Sequence, residues 1–401
     1  MELLSALRDV CDIVWIVDAG DPSLGPMARL LPRSGTVVDT GGRATADVVD
    51  ELRDHRVDGV VAFTDRQLRT VATIGAALGV DGNPVDVVDR LNDKYLQRSA
   101  FEAAEIAGPR FRRIPPTADG AAAVALVADL SFPIVLKPLQ GDSSRDVVSL
   151  PDTGALADHL ARMPAEERAE LIAEEYLLDR HDGTTAGLGS YVSVESMARD
   201  GQIVPLAVTG KFPLVEPFRE AGNFMPHPLD EADAATVIEL SIAAAQALGV
   251  RSGALHTEIK LTPDGPRVIE VNGRIGGGAI DPLFTRRFGR SLTELAALVA
   301  LGQDVDLPTE APAAWTGPFS YEYFAQPPTS ATGLRAFGGL GAVVGTAGAE
   351  ELTVNKSPGD HLDWRKGSQG YVLRVTGTAA DLATLVSVPT EILAAAAIEY
   401  L

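Results

Sequence analysis

Residues 254–274 read Ala254-Leu255-His256-Thr257-Glu258-Ile259-Lys260-Leu261, then Thr262-Pro263-Asp264-Gly265-Pro266, then Arg267-Val268-Ile269-Glu270-Val271-Asn272-Gly273-Arg274. Two runs of alternating apolar and polar residues flank a Pro-Asp-Gly turn, the pattern of a β-hairpin. With the turn centred on Asp264, residues whose numbers sum to 528 face each other, so Glu258 opposes Glu270 and His256 opposes Asn272. Leu255, Ile259, Leu261, Ile269 and Val271 are then expected to share the opposite face. Two carboxylates about 5 Å apart at Cβ repel by roughly 3 kcal/mol at an effective dielectric of ~20. A shared proton or cation relieves that repulsion. Asn272 adds a neutral oxygen, and an all-oxygen cluster suits Mg²⁺ or Mn²⁺ rather than zinc. The alternative is a shifted register with both glutamates solvated, and the hairpin alone does not choose between the two.

Upstream, Phe132-Pro133-Ile134-Val135-Leu136-Lys137-Pro138 places a lysine in an apolar strand, followed by Gln140-Gly141-Asp142-Ser143-Ser144-Arg145. Such a lysine either meets a buried anion, with the small loop beyond it offering N–H groups and hydroxyls to phosphate, or snorkels to solvent at a strand edge. The first ninety residues alternate short apolar runs, Ile13–Val17, Thr36–Val38 and Val57–Phe63, with polar helical stretches. This pattern predicts parallel strands crossed over by helices, an open α/β domain. Neither G-x-G-x-x-G nor G-x-x-x-x-G-K-[ST] occurs there, so the dinucleotide fold and the P-loop have no local support.

Further along, helices are expected around Asp93–Ala107, Gly120–Leu130 and Glu231–Leu248, a strand at Leu171–Leu177, and another at Tyr371–Val375. The Pro- and Ala-rich stretch Leu307–Ala314 reads as a linker. The expected units are therefore 1–90, an N-terminal α/β domain; 91–170 and 171–305, two α+β units; and 306–401, a C-terminal α+β region.

The 401 residues carry a net charge of −21, which repels nucleic acid and anionic membranes. Cys11 is the single cysteine, so no disulfide within the chain and no cysteine-based zinc site can form, and a reducing compartment is expected. No apolar run approaches the ~18 residues of a spanning helix, and Met1-Glu2-Leu3-Leu4 lacks the basic start of a signal peptide. A cytoplasmic location is the expectation.

The ordered set Asn92-Asp93-Lys94, Lys137-Pro138 with its serine loop, Glu174-Glu175-Tyr176-Leu177, and Glu258 with Glu270-Val271-Asn272-Gly273-Arg274 resembles the ATP-grasp superfamily of carboxylate–amine ligases. The likeness covers roughly residues 91–301. It implies an ATP-grasp fold: a Rossmann-like N-terminal α/β domain, two α+β subdomains clamping ATP, and a C-terminal α+β region. It further implies that Lys94 and Lys137 face phosphates or adenine with Lys211 as another phosphate-side cation, that Gly141, Ser143 and Ser144 belong to a loop closing over the triphosphate, and that Glu174 with the backbone of Glu175, Tyr176 and Leu177 faces the adenine edge. Glu258, Glu270 and Asn272 would hold Mg²⁺, two ions in the family's manner with Mn²⁺ as a substitute, and Arg274 would bind the transferring phosphoryl group.

Pro217–Pro228 looks like the substrate loop of the L-amino acid ligase branch, in which Glu-x-Gly-His is usual. Here Glu220 is kept and Asn223 stands where the histidine would be. The implied activity is ATP-dependent activation of a carboxylate, an amino acid or related acid, and its joining to an amine, with ADP and phosphate released. Small-molecule acid and amine are the implied partners, and the family also brings a homodimer into consideration. Glu220 and His256 are the candidate bases for the amine. The acidic residue that relatives commonly carry before the strand Tyr191–Glu195 is replaced by Gly189-Ser190 after a loop at 181–189, so the ribose contact has no candidate from the motif. Gly276, Gly277 and Gly278 either admit a larger substrate or permit a tight turn. The competing readings are an ATP-grasp carboxylase or purine-pathway-type ligase, and a non-catalytic nucleotide-binding regulator.

Overall fold

A computed structural model describes residues 2–164, 168–180, 186–307 and 317–401. All but the first residue of the expected 307–314 linker, and residues 181–185 of the loop before Tyr191, lie outside those described. The N-terminal unit opens with two parallel strands, Val14–Val17 and Thr36–Asp39, paired from Val14 opposite Thr36 to Val17 opposite Asp39. The third expected strand is corrected. Val57–Phe63 forms no ladder, although Val57 and Val60 still pack on the buried cluster of Val38, Val48, Val49, Leu52 and Ile74. Its middle is pressed against another element: a Cβ on Gly59 would stand 2.5 Å from the carbonyl oxygen of Ala300.

Asp93 caps the helix Lys94–Ala103, its carboxylate accepting from the N–H groups of Tyr95 and Leu96. The buried stripe of this helix is Lys94, Gln97, Arg98 and Phe101, which is polar at the i, i+3 and i+4 positions that share a face. Gln97 explains part of this. Its amide donates to the carbonyls of Leu91 and Val271 and accepts from the N–H of Val271, fastening the helix to the hairpin strand.

Next comes a four-stranded antiparallel sheet, in the order Phe111–Ile114, Leu171–Glu175, Ile134–Pro138, Val148–Leu150. Because side chains alternate along a strand, Ile134, Leu136, Leu171 and Ala173 pack under the helices Gly120–Leu126 and Thr153–Arg162. Val135, Lys137 and Glu174 take the other face. The boundary expected at residue 170 therefore moves: Leu171–Glu175 is the central partner of Ile134–Pro138 and belongs to the sheet of the preceding unit.

The larger sheet has eight strands, antiparallel throughout, in the order Gly265–Asn272, Gly253–Thr262, Tyr191–Arg199, Gln202–Lys211, Gly222–Met225, Phe319–Ala325, Leu373–Ala379, Ala349–Val354. The stretch expected as a separate C-terminal region thus shares one sheet with the hairpin, joined through the short strand Gly222–Met225. That strand, inside the expected substrate loop 217–228, is fully buried. Helix Glu231–Leu248 starts and stops where the sequence predicts. Asp230 caps its N-terminus through the N–H of Asp233, and Gly249, at φ 78°, supplies the left-handed C-terminal residue. Its Val237, Ala244, Ala245 and Leu248 cover the hairpin side of the sheet. None of the described helices is long and apolar enough to cross a membrane.

Candidate active site

The hairpin pairs His256 with Asn272 and Glu258 with Glu270, the register expected. The turn is shorter than expected. Thr262 opposes Gly265 across Pro263-Asp264, and a bulge after Glu258 absorbs the extra residue, so that Ile259 pairs with Val268. The bulge corrects one face assignment: Val268 enters the core, and Ile269 turns to a cavity of about 860 Å³. Every residue singled out in the sequence as a binding or catalytic candidate lines this cavity, from Lys94 to Arg274.

At the hairpin, His256 is buried with Nδ1 at 2.9 Å from Glu195 Oε2 and Nε2 at 3.4 Å from Glu258 Oε1. Burial opposes its charge, but Glu195 and then Glu258 outweigh burial and raise its pKa to about 9. Both ring nitrogens of His256 are thus engaged by carboxylates. Glu195 is itself held by the hydroxyls of Ser193 at 2.8 Å and Thr209 at 3.1 Å. Burial alone would push Glu258 up, yet His256, with Lys211 and Arg274 farther off, holds it down at about 2. Across the pair, Glu270 receives Lys94 Nζ at 2.9 Å. The two facing carboxylates thus each meet a cation.

The phosphate-side candidates form a second cluster. Lys137 Nζ lies 2.8 Å from Glu174 Oε2, and Arg98 Nε lies 2.9 Å from Glu174 Oε1. Burial lowers the pKa of Lys137 and neighbouring Arg98 and Lys94 lower it further, against Glu174. The Glu174 carboxylate, which burial would raise, is held at about 2 by Arg98 and Lys137. Its carboxylate is therefore engaged by two cations rather than held out toward a base edge. Glu175 sits on the other face of the strand, where its carboxylate pairs with Arg110 at 2.5 Å and accepts from the N–H of Ser131 at 2.7 Å. Tyr176 donates its N–H to Pro133 O at 3.1 Å and packs on Phe218, ring centroids 6.1 Å apart.

The loop after Lys137 is bent sharply, with Ser143 at φ 56°, Ser144 at φ 54° and Asp146 at φ 57°. Side-chain-bearing residues in the left-handed region occur at about 1–2 kcal/mol each, so something must hold them. Gly141 O accepts from Lys94 Nζ at 3.1 Å, Ser143 O accepts from Ser368 N–H at 2.8 Å, and Ser143 Oγ accepts from Gln369 Nε2 at 3.2 Å.

Opposite this loop, Lys211 is fully buried, donates to Asn223 Oδ1 at 2.7 Å and lies 3.6 Å from Glu220 Oε1. Asn223 Nδ2 donates to Glu322 Oε2 at 3.4 Å. Glu322 is fully buried; it pairs with Arg374 at 2.6 Å and accepts from the N–H of Ala279 at 2.7 Å, while burial raises its pKa. The glycines divide. Gly278 at φ 65° is needed for the turn, since its Cβ would stand 2.4 Å from Glu322 Oε2; a Cβ on Gly276 would stand 2.5 Å from Ile280 Cδ1 and 2.6 Å from His256 Nδ1; Gly277 has open space. Arg274 Nε is 2.7 Å from Asp65 Oδ2, at the start of a helix in the N-terminal unit.

Several residues that line the cavity, or hold those that do, carry no sequence motif: Glu195 and Asp65 act through His256 and Arg274. Arg98 was within reach as the residue one turn after Lys94. Glu195, Glu322 and Arg374 come from strands distant in sequence, and Asp65 from another unit. Asp179, which pairs with Lys260 on the hairpin, also lines the cavity just beyond Leu177.

Residues 130–282 match a family described as an ATP-grasp domain. Over 281 residues the chain is 28% identical to alanine–anticapsin ligase of Bacillus subtilis (strain 168), covering 65% of this chain and 59% of that protein. It is 23% identical over 344 residues to an L-arginine-specific L-amino acid ligase of Bacillus subtilis, 82% of this chain and 76% of that protein. The solved L-amino acid ligase from Bacillus licheniformis superposes with a TM-score of 0.72 at 20% identity, over 98% of this chain and 99% of that one, a likeness of fold. The chain spans 56–59% of the length of the alanine–anticapsin ligases it matches.

Proposed function

The chain carries an ATP-grasp domain over residues 130–282 within the ATP-grasp fold, and from that premise we propose that it is an ATP-dependent ligase joining a carboxylic acid, an amino acid or a close relative, to an amine. The observation that carries this reading is a cavity of about 860 Å³ on a chain of net charge −21 in which Lys94, Lys137, Lys211 and Arg274 gather around the facing pair Glu258 and Glu270. Anionic phosphates and a divalent cation are the ligands that satisfy both charges at once.

The donor set fits Mg²⁺. Glu258, Glu270 and the amide oxygen of Asn272 are hard oxygen ligands. Among the described residues no group of three or more His, Cys, Asp and Glu gathers for a metal, so two carboxylates and one amide would leave positions for phosphate oxygens and water, in keeping with the habits of Mg²⁺. Held by Glu258, Glu270 and Asn272, a divalent cation would supply charge neutralisation for the phosphates. Two ions, with Mn²⁺ able to replace them, belong to the same proposal.

A carboxylate is a poor electrophile until its oxygen becomes a leaving group. In the proposed reaction the acid's carboxylate attacks the γ-phosphate of ATP, the bond to ADP breaks, and an acyl phosphate results. Amine attack on the acyl carbon then expels phosphate. Lys137, pressed by like charges and balanced by a single carboxylate shared with Arg98, is set to bind phosphate oxygens. Arg274, oriented through its Nε by Asp65, presents its remaining N–H groups to the phosphoryl group and to the oxyanion of the tetrahedral intermediate. Glu220 and Glu322 are the carboxylates nearest to a place for a substrate ammonium, with Asn223 between Lys211 and Glu322. The loop 141–146, held by Ser368 and Gln369, closes the site against water. Asp179, beyond the Glu175–Leu177 segment, is the candidate for the ribose hydroxyls.

The test is phosphate release from Mg-ATP by the purified protein over an array of carboxylic acids and amines, with mass spectrometry of active wells. The reading predicts phosphate only with a particular acid and amine, and a product lighter than their sum by one water. ATP binding without turnover across the array would favour the nucleotide-binding regulator instead.

A further inference from the structure

A short segment, residues 367–369, reaches from the eight-stranded sheet to the four-stranded one. It precedes the strand Leu373–Ala379 and packs on the loop that follows Lys137. Gly367, at φ 65°, approaches so closely that a Cβ would stand 2.1 Å from Ser143 O, and only glycine allows both. Ser368 N–H donates to that same oxygen at 2.8 Å, and Gln369 Nε2 donates to Ser143 Oγ at 3.2 Å. The hydroxyl of Ser368 serves a different partner: its Oγ accepts from Glu220 N–H at 2.9 Å. Gln326 Nε2 donates to Ser368 O and to Glu220 O, each at 2.8 Å, so both peptide groups of Glu220 are gripped. Ser368 and Gln326 are buried, where a hydrogen bond left unmade is costly. The Glu220 carboxylate itself faces the cavity, 3.6 Å from Lys211. One buried serine thus ties the loop proposed to close over the triphosphate to the carboxylate proposed for the substrate ammonium.

We propose that residues 367–369 are a brace between the nucleotide and acid subsites, with Ser368 a positioning residue for Glu220. The proposal rests on the ligase reading and goes beyond it, since that reading requires no communication between the two subsites. A nucleotide that settles the loop 141–146 fixes Ser143 O, Ser143 fixes Ser368, and Ser368 sets Glu220 for the acid. The effect is mutual, because the acid then tightens nucleotide binding by the same factor. The acid is held firmly only with nucleotide in place, so its carboxylate and the γ-phosphate meet in one closed state.

Hydroxylamine separates the two claims, because it captures an acyl phosphate as a hydroxamate and so identifies the acid whatever the brace does. The full-length protein is given Mg-ATP, hydroxylamine and a panel of the twenty L-amino acids and simple carboxylic acids. The acid that responds is then titrated calorimetrically with and without Mg²⁺ and the non-hydrolysable β,γ-imido analogue of ATP. We expect the analogue to tighten acid binding at least tenfold in the wild type. In Ser368→Ala, which keeps the N–H to Ser143 and loses the hydroxyl, that factor should fall below threefold while the analogue alone binds within twofold of its wild-type affinity. Gln369→Ala alters an exposed side chain; it should lower the factor at least threefold, and it decides alone if Ser368→Ala does not fold. A wild-type factor below twofold, or a factor in either variant within twofold of the wild type, would overturn the proposal while leaving the ligase reading in place. Hydroxamate with no acid of the panel would overturn the ligase reading and this proposal with it.

Discussion

Glu270 stands where two demands meet: it faces Glu258 across the hairpin and receives Lys94 at 2.9 Å. Replacing it by alanine should cut turnover at least about 100-fold and remove most of the dependence on Mg²⁺, with an unchanged circular dichroism spectrum; wild-type turnover would remove it from the metal site. Glu174 makes a different prediction, about stability. Its carboxylate is held at about 2, below its ordinary 4.5, so the stabilisation is present in full above pH 4.5 and is lost as pH falls toward 2. Thermal melts of Glu174→Gln should show a loss of about 3–5 kcal/mol at neutral pH, since Arg98 and Lys137 stay buried without a counter-charge, and a smaller gap from wild type as pH drops through that window. A constant gap would place the stabilisation elsewhere. At this scale the candidate site was readable where chemistry announces itself: facing glutamates, a lysine in an apolar strand. The use to which Glu174 and Glu175 are put was not, because the strand's alternation sends them to opposite faces and only the fold shows which face holds Arg98 and which Arg110.

Among the elements, the hairpin Gly253–Thr262 with Gly265–Asn272 was legible because its register is written within 20 residues, turn included. The bulge after Glu258 was not, since one extra residue moves Val268 and Ile269 while leaving the pairs at 256 and 258 intact. Strand Gly222–Met225 was hidden for the opposite reason. Four residues make no pattern, and its place comes from partners about ten and a hundred residues away, Lys211 opposite Asn223 and Glu322 opposite Asn223. Its first residue tests that placement. Gly222 is at φ 132°, and a Cβ there would stand 2.0 Å from the carbonyl oxygen of Glu322. Gly222→Ala should lower stability by at least about 2 kcal/mol in denaturant titration, because the clash is with backbone of the neighbouring strand; a variant as stable as the wild type would contradict the buried, paired strand.

At the level of the molecule, the site is assembled from pieces that local sequence cannot relate: a four-stranded sheet, an eight-stranded sheet extended by the C-terminal strands, and an N-terminal unit that reaches Arg274 through Asp65. The three-strand N-terminal expectation fell short because Val57–Phe63 packs the half-buried Val57 and Val60 on the neighbouring cluster without ladder partners. Asp65→Asn keeps the shape but removes the charge that orients Arg274. It should lower kcat about tenfold or more while KM for ATP stays within twofold, and an unaltered kcat would mean the N-terminal unit does not act through that arginine. The central claim is activation of a carboxylate as an acyl phosphate, and isotope transfer tests it most directly. With the responding acid labelled by ¹⁸O in its carboxylate, the account predicts one ¹⁸O atom in each phosphate released. Phosphate without label, or label found in AMP, would contradict it.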